Sequence, residues 1–217
     1  MKKSIVVLTL AIAVFVLGCA SNTPTEPVSN LVISASLTRQ DMNEMPGQTV
    51  YMVMLLKGFM FMEGASVSVS GPHGVTTLAD NGFGMYSAAF QDESSAAQHY
   101  VFGQSYTVSV NAEGRNYSAT ATAPGAVTIT ADATVLSWSY EGNKDVIQAV
   151  APNNVSVTAG PDVVSPYNLG ATGIFSNGSG LYGINANIVK ETTGFSGASV
   201  LSAMVMAYQK TYSYDKP

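Results

Sequence analysis

Four methionines in one short stretch are the residues of this 217-residue chain best placed to do chemistry. They belong to YMVMLLKGFMFM, residues 51–62, and are Met52, Met54, Met60 and Met62. Thioether sulfur is a soft ligand that suits Cu(I), and His73 or His99 could complete a ligand set. Because methionine more commonly provides adaptable packing, the same stretch could instead belong to a core. The residue types alone leave both alternatives open.

Hydrolysis would need a nucleophile, a base and a group that orients the base. Neither of the two histidines, His73 and His99, lies in a catalytic signature. Two carboxylate pairs could in principle act as acid and base: Asp41 with Glu44, and Asp92 with Glu93. In segments rich in Ser and Gln, such carboxylates are more typical of solvated turn or helix-cap positions. We therefore expect no enzyme activity and no cofactor, with a hydrolase of unknown substrate as an alternative.

Alternating apolar and small polar residues predict β-strands along most of the chain. Residues 31–37 carry apolar side chains at every second position, and residues 66–70 and 106–110 alternate in the same way. Residues 200–208 fit both a strand and a helical spacing. Half-buried strands separated by turn signals are typical of a sandwich or a barrel. The pattern therefore predicts an all-β fold.

An internal repeat divides the predicted strands into two groups. VSVSGP at residues 67–72 with NGFGMY at 81–86 recurs as VSVTAGP at 155–161 with NGSGLY at 177–182. In each copy Gly and Pro end a strand, and Asn-Gly favours a tight turn before a Tyr that opens the next strand. The repeat predicts two tandem, internally related antiparallel β-sandwich modules, at residues 29–124 and 125–217.

The first module resembles the carboxypeptidase-regulatory-like, or transthyretin-like, β-sandwich modules of bacterial envelope proteins. The resemblance lies in GASVSV at residues 64–69, DNGFGMY at 80–86 and FGQSYTVSV at 102–110, and it extends over residues 49–124. It implies a structural or binding module that has no family catalytic residues. In the second module, VLSW at residues 135–138 looks more generally immunoglobulin-like, with Trp138 as a core ring.

The register of the methionine-rich stretch decides which way its side chains point. With Lys57-Gly58 as a two-residue turn, Leu56 would face Phe59 and Met54 would face Phe61. Met52 and Met54 would then share one face of the hairpin with the two phenylalanines. Met60 and Met62 would lie on the other face, so that only a loop of odd length could bring all four thioethers together.

The repeat supports an outward position for two of the methionines. Aligning Thr49 with Thr134 places Met52 and Met54 over Ser137 and Ser139, which alternate with larger apolar residues. The candidate partner surface is therefore Met52, Met54, Phe59 and Phe61. Either the N-terminal strand or the other module covers this apolar face, or the face binds a partner.

Residues 1–18 resemble a targeting segment, with basic Lys2 and Lys3 before an apolar run too short for a stable transmembrane helix. The run ends in Val16-Leu17-Gly18-Cys19, which resembles the lipobox of bacterial lipoproteins. This resemblance implies cleavage before Cys19, a diacylglyceryl thioether on its sulfur, and an acyl chain such as palmitate on the new amino terminus. Multiple acylation of this kind anchors a protein stably to a membrane.

Residues 19–28 are predicted to form the lipidated cysteine and a proline-containing extended tether. The absence of Asp directly after Cys19 resembles lipoproteins that are sorted to the outer membrane of a Gram-negative envelope. Removing Lys2 and Lys3 from nine basic residues leaves seven against fourteen acidic ones, a net charge of −7. Nucleic acid is not expected as a partner, because phosphate binding needs a basic surface.

These observations predict a lipid-anchored outer-membrane protein with a structural or binding role toward an envelope protein or a glycan. The sequence does not distinguish the periplasmic side of that membrane from the outer side. A lipoprotein that handles Cu(I) through its methionines is an alternative function.

Overall fold

The computed structural model describes residues 30–42, 45–131, 135–139, 145–150, 156–159, 167–168 and 180–216. Side chains are described mainly for residues 30–41, 47–128 and 193–213. The targeting segment and Cys19 lie outside the described residues. Within the described part, no helix is long and apolar enough to cross a membrane.

Sixteen strands and one short helix make up the described secondary structure. In chain order the elements are β1 (Leu31–Met42), β2 (Met45–Lys57), β3 (Met60–Phe61), β4 (Ser66–Gly71), β5 (Gly74–Thr77), β6 (Ala79–Asp80), β7 (Met85–Phe90), α1 (Glu93–His99), β8 (Ser105–Ala112), β9 (Arg115–Thr122), β10 (Thr128–Ala131), β11 (Val135–Ser139), β12 (Asp145–Val150), β13 (Ser156–Ala159), β14 (Tyr167–Asn168), β15 (Gly180–Thr193) and β16 (Ala203–Lys216). The predicted all-β fold is confirmed.

The strands form one large sheet and two smaller ones. The nine-stranded sheet has the order β13-β12-β15-β16-β1-β2-β7-β6, with β3 added beside β2. The four-stranded sheet has the order β5-β4-β8-β9, and the three-stranded sheet has the order β10-β11-β14. Pairing is antiparallel as predicted, except that β1 and β16 are parallel neighbours. The first and last described strands thus lie side by side within the large sheet.

The core lies between the nine-stranded and four-stranded sheets. Every second residue of β1 and β2 is buried, as the alternation predicts, including Ile33, Leu37 and Val53. Val67 on β4 and Val108 on β8 belong to the same buried cluster. Two sheets that bury their facing side chains against each other form a β-sandwich.

Of residues 200–208, which fitted both a strand and a helix, those from Ala203 onward form part of strand β16. Met204 and Met206 are fully buried and belong to the same core cluster as β1 and β2. Residues 199–202 form a turn ahead of the strand, where the N–H of Ser202 donates to the carbonyl of Ser199 at 2.8 Å. The module boundary at residues 124 and 125 stays a prediction, and strand pairing crosses it through β1 and β16.

The first copy of the repeated turn has the conformation that its sequence predicts. Gly82 and Gly84 have positive φ, and Tyr86 follows in β7 with its ring buried. In the second copy, Ser156, Val157 and Thr158 fall on strand β13, while Val155 and residues 177–179 lie outside the described residues. Strand β4 lies in the four-stranded sheet and β13 in the nine-stranded sheet, so these two copies occupy different sheets. For Trp138 only the backbone strand is described.

The hairpin of the methionine-rich stretch is present, but its predicted turn at Lys57-Gly58 is wrong. Leu56 pairs with Phe61 and Lys57 with Met60, which leaves Gly58 and Phe59 as the turn. Both turn residues have positive φ, as a two-residue turn between twisted strands requires. The N–H of Met62 continues this register by donating to the carbonyl of Leu55 at 3.0 Å. Because the register differs by two residues from the predicted one, the assignment of faces is unchanged.

Candidate interaction surface

The outward side chains of β2 form the centre of the candidate surface. Tyr51, Val53 and Leu55 are buried, whereas Met52 is 38% exposed and Met54 is half-buried. The predicted outward position of both methionines is confirmed. Strand alternation thus presents an apolar stripe on the side of the sheet that faces away from the core.

Of strands β1 and β7 beside β2, β7 adds a further apolar side chain to this stripe, whereas β1 adds small polar ones. Met54 lies opposite Met85 on β7, which is also exposed, and opposite Ser34 on β1. Met52 lies between serines on both neighbouring strands. The apolar part of the face therefore follows β2 and the start of β7, with small polar residues beside it.

The hairpin continues the same face to the end of the sheet. Phe61 lies opposite Leu56, and its ring meets that of Phe83 edge-on, with centroids 6.3 Å apart. Phe59 lies in the turn and is fully exposed. The structure therefore places Met52, Met54 and Phe61 on one face and adds Phe59 at its tip. Their role toward a partner stays a prediction.

An ion pair and an open groove border the hairpin. Lys57 Nζ pairs with Glu113, which lies in the turn between β8 and β9. A groove of about 600 Å³ runs between Met60 and Glu113, and Glu63 lines it as well. Since both members of the ion pair are about half exposed, solvent screens it strongly, and its contribution to stability is small.

Backbone N–H groups engage the remaining carboxylates near the hairpin. Glu63 accepts a hydrogen bond from the N–H of Phe83 at 2.9 Å. Asp80 accepts from the N–H groups of Gly82 at 2.9 Å and Gly64 at 3.3 Å. These hydrogen bonds hold the pKa of Asp80 below its usual range, because they favour the ionised carboxylate. Asp80 is thus a turn residue, as its position before Asn-Gly suggests.

The four methionines do not converge into a ligand set. Met60 pairs with Lys57 on the opposite face from Met54, and Met62 packs against the core. Only a loop of odd length would bring the thioethers together, and the observed turn has two residues. Among the described residues, no three His, Cys, Asp or Glu side chains are grouped so that they could hold a metal ion.

Both histidines line one small cavity, of about 60 Å³, which they share with Tyr51, Tyr106 and Gln98. The Nδ1 of His99 lies 2.8 Å from a backbone carbonyl and donates to it, because a carbonyl only accepts. Its ring stacks on Phe90 at 3.5 Å. The described lining residues include no serine or carboxylate, so the arrangement required for the hydrolase alternative is not formed.

A buried arginine, which the sequence gave no reason to single out, organises the opposite end of the sheet. Arg39 is 6% exposed and donates to Asp41 Oδ1 and Glu93 Oε1, each at 2.9 Å. Its guanidinium also lies over the ring of Phe102 at 5.3 Å. Asp41, whose side chain is 26% exposed, therefore pairs with a buried charge, which corrects its interpretation as a solvated residue. Glu93 pairs with the same guanidinium but stays 63% exposed, as expected of a solvated residue.

Further hydrogen bonds complete this cluster. Tyr208 on β16 donates to Asp41 Oδ2 at 2.8 Å, and the N–H of Gly47 donates to Glu93 Oε2 at 2.6 Å. Asp92 caps α1 by accepting from the N–H of Ser95, as expected of a cap residue, and this bond lowers the pKa of Asp92. Glu44 lies outside the described residues. The contacts join β1, β2, α1 and β16, which is a structural role.

Comparison with known proteins does not identify a family for this chain. No protein-family model and no curated protein matches the chain. Among solved structures, it is similar to a two fibronectin type-III domain segment from chicken tenascin, with 10% identity, a TM-score of 0.26, and 83% of this chain and 97% of that chain covered. This TM-score is too low to carry an argument, so the sandwich rests on the strand pairing and the shared core described above.

Proposed function

We propose that the protein is a lipid-anchored component of the outer membrane that binds an envelope protein or a glycan without catalysing a reaction. The anchor would be the acylated Cys19, and the tether of residues 19–28 would join it to β1. The described residues that line the histidine cavity include tyrosines and Gln98 but no serine or carboxylate that could serve hydrolysis.

The exposed apolar face of β2 and β7 carries this proposal. Met52 and Met85 expose 38% and 40% of their surfaces on the same sheet face, where serines flank Met52 and Met54 lies opposite Met85. Long flexible thioethers beside small polar groups suit a surface that adapts to a partner. Contiguous exposed apolar side chains of this kind are typical of interaction sites.

Capture from the protein's own envelope tests this proposal. The lipidated protein would be photo-crosslinked in intact envelopes, and bound proteins and glycans identified by mass spectrometry. The double variant Met52→Ser with Met85→Ser should lose the partner, because it removes the exposed thioethers of β2 and β7 and keeps the strand pairing. Val75→Ser is the matched control, since Val75 is exposed on β5 in the other sheet.

Two results would contradict the proposal. A double variant that retains the same partner as the wild-type protein would show that this face is not the binding surface. If the double variant instead unfolds at a much lower urea concentration than Val75→Ser, the two methionines belong to the stabilising core.

A further inference from the structure

The most exposed large apolar side chains lie in three turns and in the short strand β3 that follows the first of them. Among the described residues, six large hydrophobic side chains expose more than half of their surface in the segments 59–61, 83 and 200–201. We call these six residues the apolar tip: Phe59, Met60, Phe61, Phe83, Val200 and Leu201. Val75 is the remaining side chain of comparable exposure in the described part of the chain.

Strand register places the three turns at one end of the large sheet. Leu31, at the start of β1, pairs with Lys57 at the hairpin, and Met85 pairs with Met54 beside it. Strand β16 runs parallel to β1 and begins next to its start, so the turn before β16 lies at this end as well. Val75 follows the turn after β4 at the opposite end, since β4 begins near the hairpin.

The turns hold their apolar residues outward at a cost in backbone conformation. Phe59 and Phe83 are two of the three described non-glycine residues with positive φ. A bulky residue in this region costs about 1 to 2 kcal/mol relative to glycine. Such strain at an exposed turn is typical of positions that are kept for function.

The third turn is fixed to the sheet by hydrogen bonds. The N–H of Ser199 donates to the carbonyl of Leu31 at 2.9 Å, and the N–H of Ile33 donates to Ser202 Oγ at 2.9 Å. Val200 and Leu201 are the two central residues of the turn that these contacts close. The apolar tip is therefore held in place by the sheet.

The position of the chain before β1 indicates that the lipid surface is what lies against the apolar tip. Leu31 pairs with Lys57, next to the hairpin turn, so the segment that leads back to Cys19 leaves the sheet at the apolar tip. Eleven residues separate Cys19 from Leu31, and about twelve residues at full extension span at most roughly 40 Å. An acylated Cys19 would hold the tip within that distance of the lipid surface, at a high effective concentration.

The charges near the tip do not attract it to anionic lipid. Lys57 is paired with Glu113, and Glu63 and Asp80 are engaged by backbone N–H groups. The tip has no cluster of free basic side chains among the described residues that would need anionic lipid. Its attraction to a bilayer therefore comes from apolar burial, which salt does not screen.

We propose that the apolar tip docks on the same bilayer that holds Cys19, with Phe59, Phe83 and Leu201 at the boundary between headgroups and acyl chains. The arrangement rests on the proposed lipid anchor. It directs the Met52 and Met85 face sideways, where a partner in the envelope can reach it.

Fluorescence quenching by brominated lipids tests the docking. The full lipidated protein carrying Phe59→Trp would be reconstituted in vesicles of phosphatidylethanolamine and phosphatidylglycerol with brominated acyl chains. Val75→Trp is the matched control at the other end, Phe83→Trp is a second reporter, and the wild-type protein gives the background from Trp138. The tip variants should show stronger quenching and a blue-shifted emission relative to the control, unchanged by high salt.

The outcomes separate this proposal from the anchor. A mass spectrum of the amino-terminal peptide reads the acylation of Cys19 directly, and its absence overturns the anchor and the docking together. A lipidated protein whose tip variants are quenched no more than Val75→Trp overturns the docking alone. Shielding of the tip from aqueous quenchers only when envelope proteins are present would assign it to a protein partner instead.

Discussion

At the scale of single residues, Gly84 shows how one backbone position shapes the exposed end of the sheet. Its φ is +64°, and a Cβ there would lie 2.5 Å from the carbonyl oxygen of Leu55 and 2.9 Å from the nitrogen of Met62. The carbonyl of Gly84 accepts from the N–H of Leu55 at 2.9 Å. The turn that carries Phe83 is thus clamped against the hairpin through a glycine that has no room for a side chain.

The variant Gly84→Ala should destabilise the protein by about 3 kcal/mol or more, since it combines a positive φ with a clash against backbone atoms. Gly82→Ala is the matched control, because Gly82 also has positive φ but its nearest neighbour is a flexible carboxylate at 3.9 Å. The control should cost about 1 kcal/mol. Urea unfolding measures the free energy of unfolding of both variants. If the two variants lost the same amount, the clash at Gly84 would be relieved without cost.

Local sequence predicts such turn residues well and long-range polar clusters poorly. Asn-Gly followed by a second glycine indicated the turn before Tyr86, because glycine tolerates positive φ. Arg39 gave no comparable signal. Its partner Glu93 is 54 positions away, and Tyr208 is 167 positions from Asp41. Only the pairing of β1 with β16 and the packing of α1 bring these groups together.

At the scale of elements, β16 has the largest effect on the architecture. It lies between β15 and β1 and contributes Met204, Met206 and Tyr208 to the buried side of the sheet. The alternation of its residues is compatible with a strand, but alternation does not specify a neighbour. Parallel pairing with β1 joins segments that are about 170 residues apart, and nothing local in either strand encodes it.

Helix α1 was not predicted for a related reason. It is seven residues long, and Ala96 is its buried residue, so it lacks the apolar periodicity that marks a helix in sequence. The cap residue Asp92 was the available local signal. The helix is held by tertiary contacts, such as the hydrogen bond from Thr49 Oγ1 to the carbonyl of Ala96 at 2.9 Å.

The variant Met206→Ala should lower the free energy of unfolding by about 2 to 5 kcal/mol, because it leaves a cavity beside Leu37 in the shared core. Val205→Ala is the control on the neighbouring, half-buried position of the same strand and should cost less than about 1 kcal/mol. Chemical denaturation compares the two. If the changes were equally mild, β16 would not contribute to the core that β1 and β2 form.

At the scale of the whole molecule, buried tyrosines connect the two sheets. Tyr51, Tyr100, Tyr106 and Tyr208 are almost completely buried and contact one another or the phenylalanines between them. Their hydroxyl groups reach backbone or carboxylate partners, as where Tyr100 donates to the carbonyl of Ala207 at 2.8 Å. Burial raises the pKa of each of these four hydroxyls above the ordinary value of 10.0, because the ionised form loses its hydration.

The raised pKa values of the four buried tyrosines predict that the protein loses stability at alkaline pH. Above pH 10 the unfolded chain releases tyrosine protons that the folded protein retains, so the free energy of unfolding falls as pH rises. Below pH 10 the hydroxyls are neutral in both states and their contribution is fully present. Urea unfolding at a series of pH values from about 8 to 11 measures the slope, and absorbance of the tyrosinate ion should appear together with unfolding.

The variant Tyr100→Phe isolates the tyrosine contribution from that of lysines, which titrate in the same range. It removes one ionisable hydroxyl and keeps the ring between Phe102 and Tyr106. Its free energy of unfolding should be lower at neutral pH, because the hydrogen bond to Ala207 is lost, but should fall less steeply above pH 10. A slope identical to that of the wild-type protein would show that Tyr100 ionises without unfolding the sandwich.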